Sequence, residues 1–337
     1  MHLLIYAIIE LLWYKGENVE MNIDYSREFQ AIVDVYKKVG GDANTLIDSH
    51  FGSLVINGDK VLGKNEIEGL HIRHRRIKNG VGVKIFVDEG TKIEFPVHLC
   101  FGMLPKEGIQ VIRSEFFISD DAEVNFLSHC MFPNAVHIEH IMDAKVHIGE
   151  NAHMSYVEEH FHSRSGGTWV YPTLAGEIGK NGRLFEEFKL VRGRVGTLKI
   201  DYEIEQGERS VCELLTKVYA KGDDKVEMRE ALFLNGEYAA GTAKTRVVLS
   251  DRSSGEVLGE VAGNAPYTRG HVDCQEIIQG DGSVAVSIPK ISVRNPLAKV
   301  THEAAIGRID KKELETLMSR GLTKDEAVDV VVKGLLR

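Results

Sequence analysis

Histidine is unusually dense in one stretch of this sequence. Seven histidines fall within the 34 residues from 129 to 162. Glu158, His160 and His162 are spaced by two, and in a β-strand this spacing places all three side chains on one face. Imidazole nitrogens and a carboxylate in that arrangement form a ligand set that suits iron or zinc. We expect most of the other histidines to be polar residues on solvent-facing strand positions: His129, His137, His140, His147 and His153.

An adjacent imidazole and carboxylate, His302 and Glu303, form a second group. They follow a strand-like run at 297–301 and precede an expected turn of small residues at 304–307. The pair begins like the zinc motif H-E-x-x-H, but Ile306 replaces the second histidine and excludes a site of that kind. Neighbouring side chains of a strand point to opposite faces, so His302 and Glu303 cannot easily reach the same metal ion.

Residues 58–65 nearly match the nucleotide-binding loop G-x-x-x-x-G-K-[ST]. Asn65 replaces the hydroxyl that would hold Mg²⁺, and Gly69 interrupts any following helix. The dipeptide Asn57-Gly58 is instead typical of a β-hairpin turn. We therefore predict a hairpin here, and we assign any ATP hydrolysis to a partner subunit.

Short strands must position these side chains, because alternating apolar and polar residues fill most of the chain from residue 69 to residue 293. At 144–148 the apolar residues share one face, and 152–156 repeats the arrangement after a polar turn. No long amphipathic helix interrupts this pattern, which excludes a sheet built from βαβ units. A sandwich, a barrel and a stacked parallel coil all remain open from the pattern alone.

Helical patterns flank the strands. Residues 25–39 have helical apolar periodicity and are followed by two glycines. Near the other end, Asp310 is expected to cap one helix, and Thr323 opens a second helix with a capping box. The apolar run at 3–13 is shorter than the roughly 20 residues of a membrane span and lacks the flanks of a signal peptide. It is either a buried helix or an extension before a start at Met21.

Composition narrows the functional classes. The 337 residues are 43% hydrophobic, enough for one large β-rich domain or two ordinary ones. A net charge of −9 argues against a nucleic-acid-binding surface, which needs a basic face. The four cysteines are widely spaced and include no C-x-x-C pair, so free thiols in a reducing cytoplasm are expected.

The segment at 295–321 and the residues after it carry a recognisable signature. It reads N-P-x-A-x-V-x-H-E-A, then I-G-x-I-D, then S-R-G-L-x-x-x-E-A. Order and spacing resemble the C-terminal signature of the SufB/SufD family, the scaffold subunits of the SUF iron–sulfur cluster assembly system. The His302-Glu303 pair resembles the SufB branch, in a minimal archaeal-type form, because SufD-like members tend to carry His-Gly there.

The resemblance implies a mainly β fold with a right-handed parallel β-helix core, capped as stacked coils must be. The expected regions are an N-terminal helical and hairpin region at 1–68, the β-helix at 69–301 and a C-terminal helical region at 302–337. In the family the C-terminal helices dock a SufC-like ABC-type ATPase; packing on the β core is the alternative for their apolar face. Other expected partners are a second copy or a SufD-like chain, and apo-protein recipients, with no nucleic acid and no membrane.

The resemblance also assigns site residues. SufB-like members have a cluster-ligand cysteine at the position of Cys274. Cys274 and Glu303 are 29 positions apart, close to one solenoid coil of about 20–30 residues, so we expect them side by side on adjacent coils. SufD-like members lose the carboxylate and keep the histidine, which favours Glu303 as the iron ligand and His302 as a residue that orients the strand end. Bacterial SufB members carry a cysteine where His160 stands, so its sulfur-accepting role does not transfer.

The leading interpretation is a cytoplasmic, non-enzymatic scaffold that builds or holds an iron–sulfur cluster and passes it on. Such clusters usually take four thiolate ligands, and a two-fold dimer would supply two copies each of Cys274 and Glu303. One alternative is a β-helix carbohydrate lyase or hydrolase, which the 7% aromatic content disfavours. Another is a solenoid interaction protein in which His302 and Glu303 only cap the last coil.

Overall fold

The computed structural model describes residues 26–279 and 281–336, so the apolar run at 3–13 and Met21 lie outside the described residues. Helix α1 spans Ser26–Lys38, and a 3₁₀ turn follows at Ala43–Leu46. Helices α2 (Lys311–Ser319) and α3 (Lys324–Leu335) follow the strands. None of the helices in the described part of the chain is long and apolar enough to cross a membrane.

Nineteen strands lie between these helices in the described residues. They are β1 (Ser53–Asn57), β2 (Lys60–Asn65), β3 (Leu70–Ile77), β4 (Gly80–Val87), β5 (Val97–Gly102), β6 (Glu107–Ile118), β7 (Glu123–Phe132), β8 (His137–Ile148), β9 (His153–His162), β10 (Thr168–Ile178), β11 (Arg183–Arg192), β12 (Gly196–Gln206), β13 (Val211–Ala220), β14 (Lys225–Leu234), β15 (Ala240–Leu249), β16 (Ser254–Gly263), β17 (Arg269–Ile278), β18 (Val284–Val293) and β19 (Lys299–Gly307).

From β4 onward, successive strands alternate between two sheets. Sheet A has the order β19-β17-β15-β13-β11-β9-β7-β5-β1-β2, and sheet B has the order β18-β16-β14-β12-β10-β8-β6-β4-β3. The pairs β1–β2 and β3–β4 are antiparallel, and the later neighbours pair in parallel. Each coil therefore gives one strand to each sheet, which confirms the mainly β fold with a β-helix core of about 8 turns.

The hydrophobic core fills the interior of this solenoid. Side chains alternate between buried and accessible along β11 and β17, as the period of a strand requires. The interior aromatic rings of Phe116, Phe126 and Phe188 are buried to 2% exposure or less. Burying one such side chain is worth roughly 1.5–3 kcal/mol, so stacked coils gain most of their stability from this column of apolar residues.

Polar turns stack along one corner of the solenoid. Asp121, Asn151 and Asn181 all adopt positive φ angles, between 54° and 58°. Asparagine and aspartate tolerate this left-handed conformation better than most residues. The side-chain amide of Asn181 donates to Asn151 at 2.9 Å, and that of Asn151 donates to Asp121 at 3.0 Å. This ladder holds the three coils in register.

The N-terminal elements cover the outer face of sheet A at its first coils. Ile32, Val33 and Tyr36 of α1 are buried in one cluster with Val55 and neighbouring residues of β5 and β7. The predicted hairpin is confirmed, since β1 and β2 pair around a turn in which Gly58 has a φ of 62°. Residues 60–65 form strand β2 instead of opening a helix, so the nucleotide-loop geometry is absent there.

The C-terminal helices begin as the sequence predicts. The Asp310 carboxylate accepts hydrogen bonds from the backbone at the start of α2, and Thr323 and Glu326 form a capping box on α3. The apolar face of α3, with Val328 and Val332, is buried against Val248 on the outer face of sheet A. The sequence left two explanations for this apolar face, a docked ATPase and packing on the β core. Packing on the β core is sufficient to explain its burial.

The predicted turn of small residues after Thr301 is wrong. Strand β19 continues through Gly307, and Ala304 and Ala305 pair with Cys274 and Gln275 of β17. Small residues are poor strand formers in isolation, but here the neighbouring strand supplies the backbone partners that hold them extended. His302 and Glu303 thus lie within the last strand of sheet A.

Strands β18 and β19 form the last coil, which we call the open end. Nearly all of β19 is exposed, and Val284, Val286 and Ile288 of β18 are 40–56% exposed. Because α2 and α3 follow the outer face of sheet A instead of the coil end, they leave these strand edges accessible. An exposed edge with apolar side chains is a surface on which another chain can pair.

Candidate functional site

Cys274 lies on the next-to-last strand of sheet A, one coil before the open end. Its side chain points into the solenoid and is 1% exposed. Thr245 of β15 and Ala304 of β19 flank it in register on the adjacent coils. A single exposed coil therefore separates this thiol from the end of the solenoid.

Glu303 does not lie beside Cys274, contrary to the expectation from their spacing. The register pairs Glu303 with Asp273 on the outer face, whereas His302 pairs with Val272 on the interior side that Cys274 also occupies. Strands β17 and β19 are offset by 30 residues instead of 29, and a change of one residue reverses the face of a strand. The expectation that His302 and Glu303 point to opposite faces is consistent with this register, and both side chains are exposed.

Burial keeps the Cys274 thiol protonated. Desolvation, together with the nearby carboxyl groups of Glu230 and Glu276, raises its pKa to about 12 against the lowering effect of hydrogen bonds. A metal binds the thiolate, so binding at Cys274 must release a proton. Gly259 packs beside this thiol, since an added Cβ there would lie in ordinary contact with Sγ, at 3.6 Å, and would clash with Cγ1 of Val272 at 2.5 Å.

Glu230 is a buried carboxyl group next to this thiol. It accepts hydrogen bonds from the hydroxyl of Thr216 at 2.5 Å and from that of Thr245 at 3.0 Å. Desolvation still outweighs these bonds and raises the pKa of Glu230 to about 7. The interior near Cys274 therefore changes charge close to neutral pH.

The second group of predicted ligands is deep in the interior, on β9. Glu158, His160 and His162 share one strand face, as predicted, and all three are buried. Nε2 of His160 lies 2.6 Å from Oε1 of Glu158, and Nδ1 of His160 lies 3.2 Å from Nε2 of His162. Nδ1 of His162 lies 3.3 Å from the carbonyl oxygen of Arg194. These contacts form one continuous hydrogen-bonded chain.

Cys130 joins this group, and the sequence reasoning missed it. It pairs directly with His160 across β7 and β9. Ligand atoms of Cys130, Glu158 and His160 all lie within 4.8 Å of one another. The available signal was the spacing of 30 residues between Cys130 and His160, which matches one coil of this solenoid.

The expectation that most other histidines face solvent is wrong for His129 and His140. His129 is 5% exposed and packs edge-on against Tyr36, with ring centroids 4.7 Å apart. His140, on sheet B, is fully buried at 0% exposure. Alternation alone could not show this. Helix α1 covers His129 on the outer face of sheet A, and His140 lies on the interior side of its strand. His137 and His153 are exposed, as expected.

Comparison with known proteins identifies the family of this solenoid. Residues 103–335 match the family model described as SUF system FeS cluster assembly, SufBD core domain. The chain belongs to the SufBD family. This confirms the resemblance seen at 295–321, and family membership supports a role in iron–sulfur cluster assembly.

Archaeal SufBD relatives match nearly the whole chain. An iron–sulfur cluster assembly SufBD family protein of Pyrococcus horikoshii is 38% identical over 323 residues, which cover 95% of this chain and 98% of the relative. One from Methanocaldococcus jannaschii is 36% identical over 309 residues, covering 92% of this chain and 98% of the relative. A chloroplastic SufBD family protein of Arabidopsis thaliana is 22% identical over 268 residues, which cover 75% of this chain and 47% of the relative.

In this SufBD-family chain, the supply of thiolates at the open end is small. All four cysteines lie in the described residues, and all are buried without disulfides. Cys212, the next cysteine toward the N-terminus, is on β13, two coils from Cys274. Iron–sulfur clusters are usually held by four thiolates, so one copy of the chain offers one thiolate at this place and needs other donors.

Glu230 should make folding less favourable as pH rises. Its carboxyl has a pKa of about 7 in the folded protein, above its ordinary value of 4.5, so the folded chain keeps a proton that the unfolded chain loses first. The stabilisation is complete below about pH 4.5 and is lost as pH rises through about pH 7. Glu230→Gln should remove about 3 kcal/mol of this pH-dependent change in the free energy of unfolding.

Chemical denaturation of wild type and variant across this pH range measures the effect. Glu227→Gln is the matched control, because Glu227 lies on the same strand with an exposed side chain. A pH profile of Glu230→Gln that runs parallel to the wild-type profile would show that Glu230 is ionised in the folded protein.

Proposed function

We propose that this chain is a scaffold on which an iron–sulfur cluster is built or held at the open end, and that Cys274 supplies a thiolate ligand. The observation that carries the proposal is the position of Cys274 in a SufBD-family chain, facing inward one coil from an exposed solenoid end. The scaffold needs no catalytic activity of its own. It then passes the cluster to apo-proteins in the cytoplasm.

A second copy of the chain is the proposed neighbour at the open end. The edges of β18 and β19 lack strand partners among the described residues, and Val284, Val286, Ile288 and Ile306 are exposed there. A two-fold arrangement of these edges would bring two Cys274 thiols toward one cluster and double the ligand supply. A SufD-like chain on the same edge is the alternative.

Glu303 and His302 complete the proposed cluster site. His302 shares the interior side with Cys274, whereas Glu303 faces outward on the same exposed strand. A cluster held between two copies lies outside either coil, so an outward carboxylate on the edge strand can reach it. Carboxylate oxygen binds such iron less firmly than thiolate does, which suits a cluster that must be released.

Cys274→Ser should reduce cluster retention at least about tenfold, because thiolate is the usual ligand of iron–sulfur clusters and a serine hydroxyl binds their iron more weakly. Anaerobic reconstitution with iron and sulfide, followed by visible absorbance and iron and sulfide content per chain, measures retention. Cys212→Ser is the matched control, since Cys212 is also a buried interior cysteine. Equal cluster content in the Cys274 variant and the wild type would refute the proposed ligand.

Glu303→Gln should weaken cluster binding more than His302→Gln does. The glutamine keeps the shape of the side chain and removes the charge that binds iron, whereas His302 is expected to orient the strand end. Cluster loss to a chelator, timed for both variants, gives the comparison. Faster loss from the His302 variant would instead assign the iron ligand to the interior side of β19.

The proposed partner of the C-terminal helices is an ABC-type ATPase subunit. Helix α2 has no buried residue, and Met318 of α2 and Val330 of α3 are 43% and 47% exposed. These residues lie away from the α3 face that packs on sheet A. The outward side of the α2–α3 pair is therefore free to dock the partner while the inward side holds the helices to the core.

Met318→Glu combined with Val330→Glu should abolish capture of the ATPase subunit without lowering the thermal midpoint. Deletion of residues 323–337 should abolish capture and also destabilise the core by about 3 kcal/mol or more, because it exposes apolar side chains under α3. Val136→Glu is a control for an exposed valine outside these helices. Capture that survives the double substitution would place the docking surface elsewhere.

A further inference from the structure

Three donor side chains of different chemistry converge inside the solenoid, far from the open end. Cys130 on β7 and Glu158 and His160 on β9 are each 2% exposed or less, and their ligand atoms all lie within 4.8 Å of one another. We call these three residues the interior site. Its members on β9 lie four coils from Cys274 along sheet A, or roughly 19 Å at the usual spacing between neighbouring strands.

The hydrogen-bond chain leaves a bare lone pair at the centre of this site. The Arg194 carbonyl oxygen can only accept, so Nδ1 of His162 must donate to it and Nε2 of His162 must accept. His160 therefore donates from Nδ1 to His162. In the neutral ring, Nε2 of His160 then carries a lone pair that points at a carboxylate oxygen of Glu158 only 2.6 Å away.

Two acceptors at that distance need a cation between them. Either a proton or a metal ion removes the repulsion, and a metal ion would also engage the sulfur of Cys130. The hydrogen bond from Nδ1 of His160 to His162 already matches protein metal sites, in which the second nitrogen of a ligating histidine donates to a neighbouring group. The hydroxyl of Tyr156 likewise donates to the other oxygen of Glu158, at 3.1 Å.

His140 is an independent observation that points to the same place. It is fully buried, its ring centroid lies 5.9 Å from that of His160, and neither ring nitrogen has a hydrogen-bond partner among the described residues. Leaving a buried polar group unsatisfied costs roughly 1–3 kcal/mol. This imidazole lies next to the His160 ring, so a movement of either side chain would make it available as a fourth ligand.

A small cavity gives the site room to adjust. It has a volume of about 20 Å³ and is lined by Glu158, Tyr156, Glu186 and Tyr202 among apolar residues. A space of about 10–15 Å³ is enough for one water molecule. Glu158 can therefore move away from His160 to admit an ion, and a water molecule can fill a remaining coordination position.

We propose that Cys130, Glu158 and His160 bind one divalent transition-metal ion, zinc or iron(II), inside the solenoid. Sulfur, imidazole nitrogen and carboxylate oxygen together suit these borderline ions and do not suit magnesium or calcium, which prefer oxygen ligands alone. His162 orients His160, and His140 would supply the fourth donor by moving toward the His160 ring. The site is independent of the proposed cluster site, because it shares no residue with it.

Cobalt(II) is the probe, since a cobalt–thiolate bond gives a charge-transfer absorption band. The full chain is unfolded in chelator and reductant, then refolded with cobalt so that burial does not block entry. We expect one cobalt per chain with a thiolate band, displaced by zinc, and a higher thermal midpoint than in the metal-free protein. Cys130→Ser should abolish the band, and Glu158→Gln should weaken binding at least about tenfold.

The controls separate this site from the open end. Cys212→Ser and Cys274→Ser should keep the cobalt band, while Cys130→Ser should still retain a reconstituted iron–sulfur cluster. If Cys130→Ser does not fold, Glu158→Gln and His162→Gln provide the test, with weaker cobalt binding but a retained band. A wild type that refolds without taking up cobalt, or a band that survives Cys130→Ser, would show that the group is only a hydrogen-bonded network.

Discussion

The parallel backbone pairing between successive coils is the constraint on which everything else in this molecule depends. From β5 to β19, each strand of sheet A meets the strand of the next coil, so a residue generally lies above one that is 28 to 30 positions away: Phe188 meets Thr216, and Cys274 meets Ala304. Since one residue of slippage would turn the whole interior face outward, the apolar column and the Asp121–Asn151–Asn181 ladder both lock this register. The same pairing brings together side chains that are distant in sequence.

The interior created by this register is not uniformly apolar. Burial raises the pKa of Glu186 and Glu276 above the ordinary range and lowers that of His140, which means that neutral forms are favoured where water is excluded. These groups concentrate around Cys130 and His160 and again near Cys274. Between the two regions, one interior column carries Val218 and Val247. The column that joins Glu158 to Cys274 carries Phe188, Thr216 and Thr245, so the interior between the two places is partly polar.

The positions of the described helices leave the C-terminal end of the solenoid uncovered. Helix α1 and the α2–α3 pair both pack on the outer face of sheet A, with Val33 and Val332 among their buried residues. The last coil therefore ends in exposed strand edges that carry His302 and Glu303. In this SufBD-family chain, the proposed cluster ligands therefore lie at or next to an exposed strand edge, and the outward side of the α2–α3 pair is the surface proposed for the partner.

The sequence alone determined the features that depend on local chemistry: the β content, the Asn57-Gly58 hairpin, the caps at Asp310 and Thr323, and the shared face of Glu158, His160 and His162. These follow from turn preferences, capping and the two-residue period of a strand, which act over a few residues. Only the tertiary structure decided that Cys130 joins His160, that His140 is buried, and that Glu303 pairs with Asp273 instead of Cys274. Those contacts depend on the length of each coil, which varies by one or two residues without a visible repeat, and one residue is enough to change the face on which a side chain lies.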